Sequence, residues 1–192
     1  MAAAPRQRLR VIAGSAGGLR LESPAGATTR PTAERVREAL FSSLGAAVHG
    51  TAVLDLYAGT GALAIEALSR GAARAVLVER DRREAAVATR NLAHTGFAEV
   101  GRVAVRDVVS ALRGAPLPEA PFGLVCCDPP YDTPDATVDA VLRALDAPGW
   151  LADAAHVVVE RPVGSRCTPP AGWEPRFTRA YGDTLVSLLS KS

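Results

Sequence analysis

The chain has 192 residues, 48% of them hydrophobic and 22% charged, a balance typical of one soluble globular domain. A chain of this length buries roughly 70% of its unfolded surface, so its stability requires neither a disulfide framework nor a structural metal. No run of 18 uncharged apolar residues suggests a membrane span, and the first ten residues lack the apolar stretch of a secretory signal. The three cysteines match no zinc or disulfide spacing. We therefore expect a cytoplasmic protein, monomeric by default, without a metal site.

Positive charge is concentrated near the N-terminus. Residues 1–37 carry seven arginines against two glutamates, a net charge of +5, whereas the remainder has a net charge of −3. A basic segment on a slightly acidic body favours contact with nucleic acid, although a solvated terminus would have the same composition.

The first predicted elements are a hairpin and a helix. Apolar and polar residues alternate on both sides of GSAGG, which predicts β-strands over residues 9–13 and 19–22. From Pro31 the apolar positions repeat at helical spacing, and Gly45 ends this helix.

From residue 51 onward, apolar strands and amphipathic helices alternate. The predicted strands cover residues 51–58, 74–80, 101–107, 122–128, 155–161, 176–181 and 184–189, and the helices begin after residue 61 and near residues 81, 108 and 133. This alternation predicts an α/β, Rossmann-like fold with a mostly parallel, seven-stranded sheet and an antiparallel C-terminal hairpin. We expect residues 1–30 to form a basic arm with a β-hairpin extension, and residues 31–192 to form the main domain.

Unusual residues stand where four of the predicted strands end. Asp55 precedes Gly59 and Gly61, Glu79 ends the second strand, Asp107 the third, and DPPY (residues 128–131) the fourth. Ligands of open α/β sheets bind outside the carboxyl ends of the strands, so these residues are predicted to share one site.

The turn after the first strand does not match a dinucleotide-binding loop. Ala64 stands where GxGxxG requires its third glycine, and Asp55 would repel a pyrophosphate. The carboxylate of Asp55 would instead attract an ammonium group, while the glycines allow a ligand to approach the backbone. A plain βα turn remains the simpler interpretation of this stretch alone.

Two further acids suggest the rest of the ligand. Glu79 lies 24 residues after Asp55, near the spacing of the acid that binds a ribose diol. Asp107 could accept a hydrogen bond from an adenine amino group, although alone it fits better as the N-cap of the next helix. Together the three acids outline an amine, a ribose and a base, all of which occur in S-adenosylmethionine.

The DPPY segment fits chemistry at the exocyclic amine of a nucleobase. Such an amine is a poor nucleophile, and acceptors for both of its hydrogens would favour the charge that develops during attack. Asp128 supplies a carboxylate, and the prolines hold the carbonyl of Pro129 rigidly. Tyr131 offers a flat face on which an unpaired base could stack. The alternative is a Pro-rich strand exit with a buried Tyr.

The chain resembles the RsmD family of 16S ribosomal RNA guanine-N2 methyltransferases, within the class I S-adenosylmethionine-dependent methyltransferases. The matching stretches are RVIAGSAGGLRL, TRPTAERVREALFSSL, VLDLYAGTGALAIEALSRGA, VLVERD and CDPPYD, in the expected order over most of residues 10–132. DPPY alone is shared by enzymes that methylate base amines in DNA or RNA, whereas the RPTxERVREALF run is more specific to this family.

The resemblance implies a role for each motif. Catalysis is implied for Asp128, Pro129, Pro130 and Tyr131. Cofactor binding is implied for Asp55, Tyr57, Gly59, Gly61, Glu79, Arg80, Asp107 and Val108. Contact with ribosomal RNA, within an assembling small subunit, is implied for Arg10, Arg20, Arg30, Thr32 and Arg35.

Three other functions stay open at this stage. The substrate could be DNA, methylated at a base amine or, through the thiol of Cys127, at cytosine C5, although a strand cysteine beside a carboxylate disfavours a thiolate. A non-catalytic RNA-binding assembly factor would have no need of intact DPPY and glycine motifs. An NAD-dependent oxidoreductase is disfavoured by the incomplete GxGxxG and by Asp55.

Overall fold

The computed structural model describes residues 9–23 and 31–191, with the side chains of the first helix from residue 34 onward. Five helices and seven strands follow one another along these residues. The helices are α1 (Pro31–Leu44), α2 (Ala62–Ser69), α3 (Arg82–His94), α4 (Val108–Leu112) and α5 (Asp135–Leu145), with a short 3₁₀ turn at Gly45–Val48. The strands are β1 (Ala52–Leu56), β2 (Arg74–Glu79), β3 (Gly101–Val105), β4 (Phe122–Cys127), β5 (Leu151–Pro162), β6 (Trp173–Tyr181) and β7 (Thr184–Lys191).

The seven strands form one sheet in the order β3-β2-β1-β4-β5-β7-β6. The first five strands run parallel, and β7 joins β5 and β6 in antiparallel pairs. The predicted mostly parallel sheet with an antiparallel C-terminal hairpin is therefore confirmed. The order reverses between β1 and β4, where a ligand crevice is expected at the carboxyl edge.

Both faces of the sheet are covered, which explains the near-continuous apolar strands. One face packs against α1, α2 and α3, and the other against α4 and α5. All five residues of β1 are buried, as expected for a central parallel strand. No helix of the described chain is long and apolar enough to cross a bilayer.

The N-terminal segment is more irregular than the sequence suggests. The predicted strands 9–13 and 19–22 are reduced to a single antiparallel bridge between Arg10 and Arg20. The backbone N–H groups of Val11 and Leu21 donate across the turn to the carbonyls of Leu19 and Leu9, each at 2.9 Å. The pairing does not continue past Val11, because the backbone N–H groups of Ile12 and Ala13 donate to the carboxylate of Glu66 on α2, at 2.7 and 3.1 Å. The segment therefore divides its backbone hydrogen bonds between its own two halves and α2 of the main domain.

This segment also shares the apolar core. Val11, Ala16 and Leu21 are buried in the same cluster as Leu40 of α1 and Ile65 of α2. The boundary predicted at residue 30 lies outside the described residues, and the division into an arm and a main domain stays a prediction.

Candidate active site

A cavity of about 470 Å³ opens at the carboxyl edge of the sheet, near the reversal of strand order. Its lining combines the DPPY segment with the turns that follow β1 and β2. The lining residues are Tyr57, Gly59, Glu79, Arg80, Asp81, Glu84, Asp128, Pro129, Pro130 and Tyr131. The predicted convergence of separate strand ends on one site is therefore visible for β1, β2 and β4.

Gly61 and Asp55 fix the backbone of the turn between β1 and α2. Gly61 is the N-cap of α2 at φ +80°, and a Cβ there would lie 2.7 Å from Leu77 Cδ2, so only glycine fits without strain. The buried carboxylate of Asp55 accepts a hydrogen bond from the backbone N–H of Ala64 at 3.0 Å. Burial raises the pKa of Asp55 well above its usual value. Neither residue lines the cavity, and the expected ammonium contact of Asp55 stays a prediction.

Glu79 joins the two turns that face the cavity. Its Oε2 accepts from the backbone N–H of Gly59 at 2.9 Å, and its Oε1 accepts from that of Asp81 at 2.8 Å. A carboxylate held by two backbone donors is preorganised, with free lone pairs left for a hydroxyl ligand. This position suits the ribose contact predicted for Glu79.

Asp107 and Val108 lie apart from the cavity lining. Asp107 is the N-cap of α4 and accepts from the backbone N–H of Ser110 at 2.9 Å, which confirms the capping interpretation. Val108 is buried against the face of the sheet that carries α4 and α5. A contact of either residue with the adenine stays a prediction.

Asp128 lies on the floor of the cavity, directly after β4. The residue is open to solvent through the cavity. Protein atoms nevertheless surround its carboxylate, and this desolvation raises the pKa of Asp128 to about 6. Arg161 on β5 opposes this shift. At neutral pH the carboxylate is ionised and can accept hydrogen bonds, while its proton affinity is higher than that of an ordinary Asp.

The two prolines and Tyr131 continue the floor and wall of the cavity. The carbonyl of Pro130 accepts from the backbone N–H of Thr133 at 2.9 Å, which closes a turn. The carbonyl of Pro129 is thus the better candidate for a substrate contact. Tyr131 is 44% exposed as a residue, and its hydroxyl lies 2.6 Å from Thr184 Oγ1 on β7. The ring therefore presents a fixed, accessible face to the cavity.

Tyr57 has a strained backbone at the cavity wall. It adopts φ +61°, an uncommon conformation for a bulky residue and one that often accompanies functional sites. Desolvation and neighbouring acidic groups raise its pKa to about 12, so its hydroxyl stays protonated.

Two acids of the lining were not predicted as site residues from the sequence. The local pattern indicates only a capping box for Asp81 and Glu84, and Asp81 does cap α3 through the backbone N–H groups of Arg83 and Glu84, at 2.7 and 3.2 Å. Their position directly after β2 was the available signal, because residues that follow a strand lie at the same edge as the residue that ends it.

The residues expected to contact RNA are only partly described. Arg10 and Arg20 are exposed on the N-terminal segment, with Arg10 Nε 2.5 Å from Glu34 Oε1, and Arg35 is exposed on α1. Arg30 and the side chain of Thr32 lie outside the described part. Arg10, Arg20 and Arg35 do not line the cavity.

The neighbouring cysteines do not form a nucleophilic site. Cys126 and Cys127 are fully buried, and burial raises the pKa of both thiols. A thiolate at Cys127 is thus strongly disfavoured, which argues against chemistry at cytosine C5.

Strand order, glycine turn and the acid at the end of β2 together define a class I methyltransferase fold. The family model described as "Conserved hypothetical protein 95" matches residues 9–190. The ribosomal RNA small subunit methyltransferase D of Escherichia coli K12 is 35% identical over 96% of this chain and 90% of its own length. The chain belongs to this family, the RsmD family of S-adenosylmethionine-dependent methyltransferases.

Solved structures agree with the assignment. The structure of yhhF from Escherichia coli is 35% identical and superposes with a TM-score of 0.85 over 97% of this chain and 99% of that one. A hypothetical protein of Thermus thermophilus is 30% identical, with a TM-score of 0.78 over 94% and 98%. A more distant structure in complex with S-adenosylhomocysteine, 14% identical, has a TM-score of 0.71 over 98% and 57%, and supports the fold alone.

Proposed function

We propose that this protein transfers a methyl group from S-adenosylmethionine to the exocyclic N2 amine of a guanine in small-subunit ribosomal RNA. One observation carries the proposal: Asp128 and Tyr131 line the same cavity as Gly59 and Glu79. The groups suited to a base amine and those suited to the cofactor therefore face one space, as a direct transfer requires. The ribosomal substrate named for the Escherichia coli relative supports the choice of RNA.

The cavity fits the cofactor in size and in donor set. Its volume of about 470 Å³ is that of a typical small-ligand site. Glu79 would hold the ribose, Gly59 would admit the ligand close to the backbone, and Asp55 would face the ammonium group from below. When bound, S-adenosylmethionine supplies a sulfonium methyl that is already activated, so the protein contributes mainly position and charge.

Asp128 is the proposed acceptor for the amine. Its carboxylate accepts one N–H of the base, and the carbonyl of Pro129 accepts the other, which orients the nitrogen lone pair toward the methyl carbon. Transfer would form a nitrogen–carbon bond and break the sulfur–methyl bond of the cofactor, which would leave as the neutral thioether, so the nitrogen must lose a proton. Asp128 takes this proton and passes it to the solvent that reaches its side chain.

Tyr131 is the proposed stacking surface for the extruded base. Stacking on an aromatic face is worth about 1–3 kcal/mol per base. Thr184 fixes the hydroxyl end of the ring, so less freedom is lost when the base binds. Arg10, Arg20, Arg30, Thr32 and Arg35 would contact the phosphates, with residues 1–30 as a basic arm beside the methyltransferase domain of residues 31–192.

The substrate is tested by offering labelled S-adenosylmethionine with naked ribosomal RNA, assembled small subunits and duplex DNA in parallel. We expect label in the RNA or subunit arm, at guanine N2 when the modified nucleoside is mapped. Label only in DNA, or at a ring carbon, would overturn the proposal, and no transfer in any arm would favour a non-catalytic assembly factor.

Replacement of Asp128 by Ala should abolish transfer, and by Asn should lower kcat by about 10²-fold or more, because both remove the proton acceptor. Cofactor binding, followed by the rise in Tm with S-adenosylmethionine, should largely survive. Near-normal turnover in either variant is incompatible with the assigned role.

Tyr131 offers a matched pair of variants. Tyr131→Ala removes the stacking surface and should abolish transfer, whereas Tyr131→Phe keeps the ring, loses the hydroxyl with its bond to Thr184, and should keep most of the transfer. Equal loss in both variants would show that the hydroxyl, rather than the ring face, is required.

A further inference from the structure

Arg161, at the end of β5, is buried beneath the DPPY segment. Its side chain is 5% exposed. Its Nη2 donates to the backbone carbonyl of Thr133 at 2.5 Å and to Asp135 Oδ1 at 3.0 Å. Thr133 closes the turn that begins at Pro130, and Asp135 is the first residue of α5. One guanidinium therefore holds both ends of the segment that connects DPPY to the next helix.

The remaining donors of Arg161 are unusual. Within the described residues, Nε and Nη1 are buried without a hydrogen-bond partner. Leaving buried donors unsatisfied costs free energy, so a purely structural anchor would be expected to use them. A guanidinium kept in this arrangement delivers a fixed and poorly screened positive charge to its neighbours.

The positive charge of Arg161 acts on Asp128. Acidic groups or thiols on β1, β4 and β5 interact electrostatically with Asp128, namely Asp55, Cys126, Cys127 and Glu160. Glu79, Arg80, Asp81 and Glu84 share the cavity lining with it. Among the groups that act on Asp128 in the described chain, Arg161 is the cation, and it lowers the pKa that burial raises. The register places β5 directly beside β4, with Cys127 opposite Val159.

The geometry points to Arg161 as a positioning residue of the methyl-transfer site: it anchors the turn that follows DPPY and places a buried positive charge on β5, the strand beside the one that ends at Asp128. This inference rests on the proposed function for its catalytic meaning, whereas its electrostatic content can be measured without turnover. Arg161 is not among the residues that line the cavity, so it acts through the turn it anchors and through Asp128.

The direct test is a ¹³C NMR titration of the Asp128 carboxyl in the wild-type protein and in R161M, R161K and R143M. R161M should raise the pKa of Asp128 by roughly one pH unit or more, because the opposing charge is lost. R161K keeps the charge and should restore most of the wild-type value. Arg143 is exposed on α5, and R143M should change nothing. An unchanged Asp128 titration in folded R161M would overturn the inference.

Turnover supplies a second readout. If the wild-type protein methylates RNA, the acid limb of the kcat profile should move to higher pH in R161M and return in R161K. A uniform loss at every pH in both variants would indicate structural damage and contradict the electrostatic role. If the wild-type protein transfers no methyl group, the proposed function fails, while the NMR titration still decides the role of Arg161.

Discussion

At the scale of single residues, the site depends on how acids are distributed around Asp128. Glu160 is partly buried on β5, and desolvation, with the charges of Asp128 and Asp55, raises its pKa to about 8. At neutral pH Glu160 is therefore mostly protonated, while Asp128 is ionised. Neighbouring carboxyl groups whose environments separate their pKa values can take different roles. Of the two carboxyl groups, Asp128 is the one that is charged at neutral pH.

The stability of the protein should report the state of Glu160. Because the folded-state pKa of Glu160 exceeds its ordinary unfolded value of about 4.3, stability is lost as the pH rises from about 4 to about 8. Glu160→Gln removes this penalty, so its Tm should exceed that of the wild type by a margin that grows through this window. Each 1 kcal/mol corresponds to about 2–4 °C in a chain of this size.

Thermal unfolding between pH 4 and pH 9 measures that margin. Glu174→Gln, at an exposed position on β6, is the control and should show no such trend. A constant difference between Glu160→Gln and wild type at all pH values would contradict the assignment.

At the scale of elements, the N-terminal segment docks against the end of α2. The backbone N–H of Ser15 donates to the Ser69 carbonyl at 2.8 Å, and Ser69 Oγ donates to the Ala13 carbonyl at 2.5 Å. Gly14 makes this approach possible, because a Cβ there would lie 1.8 Å from the carbonyl oxygen of Ser69. The segment and α2 therefore meet backbone to backbone.

Two glycines of this segment provide a matched comparison. Gly14 and Gly18 both have φ +86°, but a Cβ at Gly18 would meet nothing within 4 Å. Gly18→Ala should cost about 1–2 kcal/mol for the left-handed backbone alone. Gly14→Ala carries the same strain plus the clash, and should destabilise the protein considerably more in chemical denaturation. Equal losses would mean that the segment is not held against Ser69.

At the scale of the whole molecule, Glu66 on α2 joins the N-terminal segment to the helices that cover one face of the sheet. It is fully buried and accepts from the backbone of Ile12 and Ala13 and from Arg70 Nε at 2.7 Å. Arg37 of α1 lies 3.8 Å away. α1, α2 and the segment that leads toward the proposed RNA arm therefore share one buried carboxylate.

Removal of Glu66 should weaken the attachment of the N-terminal segment to α1 and α2. Glu66→Ala leaves Arg70 and two backbone donors without their acceptor and removes the counter-charge of Arg37, and breaking such a buried pair costs about 3–5 kcal/mol. We expect lower stability in urea and faster tryptic cleavage at Arg10 and Arg20.

An exposed ion pair supplies the control for Glu66. Glu22 pairs with Arg90 while both side chains are more than half exposed, so Glu22→Gln should cost at most about 1 kcal/mol. Cleavage of Glu66→Ala at the wild-type rate would show that the apolar contacts and the hydrogen bonds to Ser69 hold the segment without Glu66.

Much of the fold and the core of the site could be predicted because the signals are local. Apolar runs that alternate with amphipathic helices imply a parallel sheet, and parallel strands place Gly59, Glu79 and Asp128 at one edge. Asp81 and Asp107 were recognisable as helix caps because a cap bonds backbone groups two or three residues away. The predicted strands run one or two residues past the observed carboxyl ends of β1, β2, β3 and β4, whereas the predicted β5, β6 and β7 are shorter than the observed strands.

Other features depended on tertiary structure alone. Arg161, Glu66 and Thr184 find their partners 26 to 54 residues away, and no local pattern marks such pairs. The sequence by itself determined the order of elements and the chemistry available at each strand end, because both depend on neighbouring residues. Only the packed structure decided which acid is charged and which arginine is buried beside it, because desolvation and charge proximity arise when distant strands meet.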